Sequence, residues 1–382
     1  MKGLRRIGTL GLAAAFLAGF GPAATAGDIK IGLLFSQTGP ISSYGVPMRK
    51  AAEYAVSAIN AKGGINGNKL VLVVEDDEST GAAFINGLHR AVDQEHVLAL
   101  VGPIVSGMVK AGGPIAKRSG VVMFTPTATA PDLTKDNPYV FRNNPSEDDN
   151  IQRLLNLMVK DHPQIKTLSI IYDNKEPADK VNGGIYERLA PKIGWKVTGV
   201  TTFLSGQLNF SDLITKVLSG KPDIVAASAH GADAANVARE LRRQGYKGII
   251  LGGTPTVSQD YLKIAGPAAD DTYVVVPYFY GADTPQNEAF TKGYAKASGQ
   301  TTPDPWEAST DEVVSMIAAA ARTANVSGDP AKLQAERTAL RDALAATKDY
   351  AGLIGPVSLD PERIAQKKTI VIRVKDNRWQ PF

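Results

Sequence analysis

The sequence predicts an α/β protein of two doubly wound, parallel-sheet (Rossmann-like) lobes joined by a three-crossover hinge. Three observations lead there. Short apolar runs alternate with helical-period segments from Asp28 to Val276. That alternation occurs as two sets of similar size, interrupted at Asn143-Asn144-Pro145-Ser146. Beyond Pro277 the chain turns helical and returns to strands only near its end. No sequence repeat accompanies the duplicated architecture.

Asp28 to Phe35 (DIKIGLLF) reads as the first strand, followed by a Gly/Pro-marked loop, Ser36 to Gly45. Ala51, Tyr54, Ala55, Ala58 and Ile59 fall on one face of a helix, which Gly63-Gly64 ends. Lys69 to Glu75 is the next strand, and a helix over residues 80–95 follows it. Leu98 to Val101 and Val121 to Phe124 are strands on either side of a helix that begins near Ser106. Tyr139 to Arg142 closes the first set.

Ile151, Leu154, Leu155, Met158 and Val159 restart the helical rhythm. Strands are expected at Thr167 to Tyr172, Lys196 to Phe203, Asp223 to Ala227, Gly248 to Gly252 and Thr272 to Val276. Helices over 179–193, 210–219, 232–244 and 258–265 separate them. Residues 285–298, 306–325 and 330–346 read as helices, and Leu353 to Leu359 and Thr369 to Val374 as late strands. Crossovers near 144, 277 and 352 follow. They divide the chain into a first lobe (27–144 and 277–352) and a second (145–276 and 353–382).

Residues 1–26 read as a cleaved signal peptide: basic Lys2, Arg5 and Arg6, an apolar stretch from Leu10 to Phe20, then Ala24-Thr25-Ala26. The apolar stretch is too short to span a bilayer. Most of the formal charge of +4 leaves with this leader, so nothing points to nucleic acid or a membrane surface. The chain has no cysteine, which excludes disulfides, thiolate metal sites and a lipidated cysteine. A monomeric protein, free in the periplasm, is expected.

The chemistry concentrates in two turns at the carboxyl ends of neighbouring strands, where open α/β sheets bind ligands. Ser106 stands at a helix N-cap position, with outward amides and the positive end of the helix dipole. Thr127, Ala128 and Thr129 add two hydroxyls and a run of backbone groups. Together they form an uncharged cradle suited to a carboxylate. No dinucleotide fingerprint, P-loop, H-E-x-x-H or G-x-S-x-G occurs, and the four histidines lack an obvious nucleophile partner. No cofactor, metal or enzymatic activity is therefore expected.

Segments IKIGLLFSQTGPISSYG, AINAKGGINGNKLVLVVEDDES, LVGPIVSG, TPTATAPDLT, YVFRNNPS and ELRRQGYKG resemble the Leu/Ile/Val-type periplasmic solute-binding proteins of ABC transporters, which have the type I periplasmic binding fold. The resemblance implies a receptor that closes two lobes on a small solute and delivers it to a membrane permease. By position, Ser106 and Thr129 match the family's carboxylate-binding hydroxyls. Thr127 supplies a backbone carbonyl, and Tyr44 is the aromatic residue that covers the ligand. The second lobe departs from the amino-acid pattern. Pro177 occupies an aromatic position, His230 stands where a tyrosine is usual, and Thr254 falls where an ammonium-pairing acid is expected, with no acid nearby before Asp260.

An ammonium buried without a carboxylate would cost several kcal/mol. The expected ligand is thus an aromatic or other non-amino carboxylic acid, with its ring against Tyr44 and its far end toward His230 and, further on, Thr254 and Tyr278. A branched-chain or related amino acid receptor, and a ligand-sensing regulatory protein on the same fold, stand as alternatives.

Overall fold

The computed structural model describes residues 27–382; the expected leader lies outside them. The first sheet takes strands β1 (Ile29–Phe35), β2 (Leu70–Asp76), β3 (Ala99–Val101), β4 (Val122–Thr125) and β5 (Val140–Arg142). They run parallel in the order β2-β1-β3-β4-β5, so the order reverses between β1 and β3. Helices α1 (Ser42–Ala61), α2 (Gly81–His89) and α3 (Ser106–Ser119) make the connections. The apolar face read from the sequence is buried: Ala55 and Ile59 of α1 join Ile31, Leu33 and Phe35 in one core. Phe84, Val109 and Met123 pack on the opposite face. Gly120 ends α3 at φ 60°, a left-handed position that disfavours a side chain.

After α4 (Glu147–Asp161) the second set follows: β6 (Thr167–Asp173), α5 (Pro177–Leu189), β7 (Lys196–Phe203), α6 (Ser211–Ser219), β8 (Ile224–Ser228), α7 (Gly231–Arg243), β9 (Ile249–Gly252), α8 (Gln259–Ala265) and β10 (Thr272–Val276). Their strands lie parallel, β7-β6-β8-β9-β10 in space. Separate apolar clusters cover the two faces, one built around Leu168, Ile170 and Tyr186, the other around Ile171, Val225 and Leu241.

The chain then returns to the first lobe through α9 (Pro285–Ser298), α10 (Pro305–Thr323) and α11 (Leu333–Ala345). Asp304 and Glu307 form a reciprocal capping box at the start of α10. This helix lies along α1 and is buried along almost its whole length.

The late strands divide differently from the expectation. β11 (Tyr350–Gly352), β12 (Gly355–Leu359) and β13 (Ala365–Gln366) form a small antiparallel sheet. Ile364 bridges Arg142 of β5, and Arg142 N donates to Arg363 O at 3.0 Å, so this segment runs beside the first sheet and pairing with the second sheet begins only after Gln366, not at 352. Only β14 (Ile370–Lys375) pairs with β10, antiparallel, and β15 (Arg378–Pro381) adds an edge strand that the sequence reading lacks.

Glu312 of α10 gathers the connections. It accepts from Asn143 Nδ2 at 2.9 Å and from Leu353 N at 3.1 Å, and it pairs with Lys367. Three separate passes of the chain are tied to one buried carboxylate. Among the described residues no helix is long and apolar enough to cross a membrane.

Candidate ligand site

The first-lobe half of the site is built from backbone that is held from behind. Thr125 Oγ1 accepts from Ala128 N at 3.1 Å and donates to Pro103 O at 2.7 Å. Thr127 Oγ1 donates to Ile104 O at 2.5 Å, which joins the two turns. Arg142 Nη1 donates to the carbonyls of Thr129 and Ala130 at 3.0 and 2.7 Å, and Asn144 Nδ2 donates to Thr127 O at 2.6 Å. The Thr127 carbonyl expected to face a ligand ammonium thus already has a donor.

Helix α3 begins at Ser106 itself, with Val105 as its N-cap and no side-chain cap. The serine hydroxyl is therefore one position inside the helix and is not spent on capping. Its oxygen accepts from Ala130 N at 3.3 Å, which leaves its proton to donate. The amides of Ser106, Gly107 and Thr129 make no hydrogen bond among the described residues. Donors converging at a helix N-terminus suit an anion.

The second lobe contributes Glu176, Ala178, His230 and Pro255 to the same cavity, and Tyr44, Ile104, Val105 and Trp306 complete it. Its volume is about 20 Å³, and an outer chamber of about 370 Å³ adjoins it, sharing Tyr44, Val105, Glu176 and His230. Tyr44 forms the aromatic wall with His230, at 5.9 Å between ring centroids, and with Trp306, at 6.5 Å. Asp173, Asp233 and Asp260 line the outer chamber beside Glu176.

His230 Nδ1 lies 3.1 Å from Asp179 Oδ2. Burial works against protonation, but the charge and hydrogen bond of Asp179, with Glu176 and Asp173 beyond, push its pKa up to about 9. The imidazole therefore carries a proton at neutral pH. Burial raises the Glu176 carboxyl, while His230 opposes that shift.

Three contacts hold the lobes together across this cavity. Tyr44 Oη donates to Pro255 O at 2.8 Å and accepts from Gly231 N at 2.7 Å. Trp306 Nε1 donates to Val257 O at 2.6 Å. A Cβ at position 231 would lie 3.0 Å from Tyr44 Oη across the cleft and 2.0 Å from Ser258 Oγ within the second lobe, so glycine serves both the approach of Tyr44 and the packing of α7 on α8. Behind the cavity, Thr254 Oγ1 donates to Glu147 Oε1 at 2.6 Å, with the Thr129 hydroxyl close to the same carboxyl. Burial raises the Glu147 carboxyl to about 7, against these hydroxyls and Arg142.

Tyr44, Ser106, Thr127, Ala128, Thr129 and His230 thus share one cavity wall. Two expected residues do not. Thr254 opens a short 3-10 turn and faces Glu147, leaving Pro255 on the wall. Tyr278 is 2% exposed and packs with Ala51, Phe290 and Tyr294, because the second crossover delivers it to the apolar face of α9.

The expectation that no acid stands on the second-lobe wall is also overturned. Glu176 is the N-cap of α5, accepting from Ala178 N at 3.4 Å, and Pro177 at the first helical position turns it into the cleft. A Glu-Pro pair before a helical pattern is the signal that could have located it. Trp306 sits inside the capping box of α10, between Asp304 and Glu307, and had no such signal, since its wall is assembled only when α10 returns to the first lobe.

The profile of the periplasmic binding protein family matches residues 28–378. The Leu/Ile/Val-binding protein homolog 3 of Brucella melitensis is 30% identical over 255 residues, covering 66% of this chain and 68% of the relative. The branched-chain amino acid transporter substrate-binding protein LivJ of Streptococcus pneumoniae, solved with isoleucine, superposes at a TM-score of 0.82. It has 25% identity and covers 92% of this chain and 98% of its own. A solute-binding protein of an ABC transporter from R. palustris, solved with benzoate, superposes at 0.82 with 23% identity, covering 93% and 95%; this likeness concerns the fold.

Proposed function

The chain belongs to the periplasmic binding protein family, in its branched-chain amino acid transporter type, and from that premise we propose that it is the receptor of an ABC importer for an aromatic hydroxycarboxylic acid. Its role is to bind and hand over, without catalysis. The solved relatives hold isoleucine in one case and benzoate in another, so the fold leaves the choice of ligand to the cleft residues.

The observation that carries the reading is the aromatic wall above an anion cradle. Tyr44 and Trp306 have their polar atoms engaged with Pro255 and Val257, so they offer ring surfaces to a ligand, while His230 bonds Asp179 through Nδ1 and keeps Nε2 without a partner among the described residues. The carboxylate faces the free amides at Ser106, Gly107 and Thr129, and the ring lies along Tyr44. The outer chamber carries Asp173, Glu176, Asp233 and Asp260 against Lys175 and His230, an excess of acid that favours a hydrogen-bond donor, such as a phenolic hydroxyl, at the far end. Each lobe supplies part of the site, so the ligand stabilises the closed form and shifts the population toward it. The closed pair of lobes then docks on a membrane permease, as a monomer and from the periplasm.

Glu176 favours a second reading, a branched-chain or related α-amino acid whose ammonium meets that carboxylate. Thermal-shift and calorimetric titration of residues 27–382 with 4-hydroxybenzoate, 4-hydroxycinnamate, L-leucine and L-isoleucine separates the two. The first reading expects the aromatic acids to stabilise the protein. Charge-assisted bonds contribute roughly 1.5–3 kcal/mol each, so Ser106→Ala should weaken any carboxylate by about tenfold or more. Glu176→Gln should then weaken 4-hydroxybenzoate far less than L-leucine. Binding of leucine alone, lost in Glu176→Gln, would establish the amino acid reading instead.

A further inference from the structure

A second cavity, of about 410 Å³, lies on the first lobe between α1, α9, α10 and β11 and shares no residue with the cleft. Asp311 lines it and is 8% exposed, yet makes no side-chain hydrogen bond or ion pair among the described residues. Its neighbour Glu312 is saturated by Asn143, Leu353 and Lys367. A buried carboxylate with neither donor nor countercharge is unfavourable in its charged form, and no group among the described residues pairs with Asp311.

Two cations also line the cavity. Lys62 makes no ion pair, and Arg322 gives Nη2 to Gly64 O at 2.8 Å; neither comes within ion-pair distance of Asp311. The remaining wall combines the rings of Tyr54, Phe290 and Tyr350 and several alanines with Gln286, Ser315 and the already paired Glu312. Acid, base and aromatic surface thus face one volume without neutralising one another.

We propose that this cavity is a second ligand site, for a zwitterionic small molecule with an apolar or aromatic body. The ammonium sits on Asp311, the carboxylate at Lys62, and the body between Tyr54, Phe290 and Tyr350. A bare anion is repelled by Asp311, and a bare cation meets Lys62 and Arg322. With Glu312 already committed to Lys367, Asp311 alone is a poor metal site. Burial and the adjacent Glu312 raise the Asp311 carboxyl to about 7 against the pull of Lys62, as expected for a group lacking a close countercharge. The inference does not depend on what the cleft binds.

The test is methyl NMR of residues 27–382 during titration with L-phenylalanine. The methyls of Ala55, Ala58, Ile59 and Ala319 report on this cavity, and those of Ala128 and Val105 on the cleft. Saturable shifts are expected in the first group. Asp311→Asn should abolish them, and Lys62→Ala, a change at an exposed side chain, should weaken binding about tenfold. Phenethylamine and 3-phenylpropionate, each lacking one charge, should bind more weakly than phenylalanine. The proposal is overturned if the first group does not shift at the solubility limit, or if both variants bind as the parent does. It is also overturned if either analogue matches phenylalanine.

Discussion

Replacing Tyr44 by phenylalanine deletes one oxygen and leaves the ring against His230 and Trp306. That oxygen makes two bonds across the cleft, to Pro255 O at 2.8 Å and from Gly231 N at 2.7 Å. In the closed form both backbone groups would lose their partner in a site from which water is excluded. In the open form water replaces it. The loss therefore falls on closure, not on folding of either lobe. Two bonds at about 0.5–1.5 kcal/mol each give about 1–3 kcal/mol, a shift of roughly 5- to 150-fold in the closed-to-open ratio. If ligand binds productively only to the closed form, its apparent Kd rises by up to the same factor. Calorimetry with whichever ligand stabilises the protein measures the Kd. Small-angle scattering, or fluorescence transfer between labels on α2 and α6, measures the lobe separation. Unchanged affinity together with unchanged separation would refute the assignment of Tyr44 as the closing contact.

Two further substitutions address the same architecture. Gly231→Ala places a methyl 2.0 Å from Ser258 Oγ within the second lobe and 3.0 Å from Tyr44 Oη across the cleft; it should weaken ligand affinity at least as much as Tyr44→Phe and lower the stability of the second lobe, and a double-mutant cycle on affinity should show coupling with Tyr44→Phe. Glu147→Gln tests the buried carboxyl. Its pKa in the folded protein is raised from 4.5 to about 7, so the protonated form is the one the fold favours, and stability is full below 4.5 and lost as pH rises through 7. By linkage that loss is at most about 3 kcal/mol. Urea unfolding at pH 5 and pH 8 should show a smaller pH difference in the variant than in the parent protein, and equal differences would contradict the assignment.

The parallel strands were legible because each is a short apolar run closed by a turn, and because α1, α4 and α7 carry their buried residues at helical spacing. The cradle was legible for the same reason: Ser106 and Thr127 to Thr129 follow directly on strands or open a helix, so local pattern alone puts them at the sheet's carboxyl edge. Glu176, Trp306 and Pro255 were not, since each reaches the wall through packing between segments far apart in the chain. Tyr278 shows the converse. A run of aromatics beside a crossover looks like a ligand wall, but the burial of Phe290 and Tyr294 nearby draws it into a core. The edge strand β15 lacks a strong apolar signal because only Trp379 anchors it, against Tyr261.

Residues 125 to 130 receive bonds from Arg142, Asn144 and Thr125 itself, so their shape is settled before any solute arrives. Such a receiver has little conformational freedom left to lose, and on the proposed reading it would grip every acid head group alike. Discrimination would then reside on the opposite bank, where one helix cap at Glu176 and one imidazole at His230 line the cavity. Selection can exchange the cargo there by altering a handful of side chains, while the anchor beneath keeps its form.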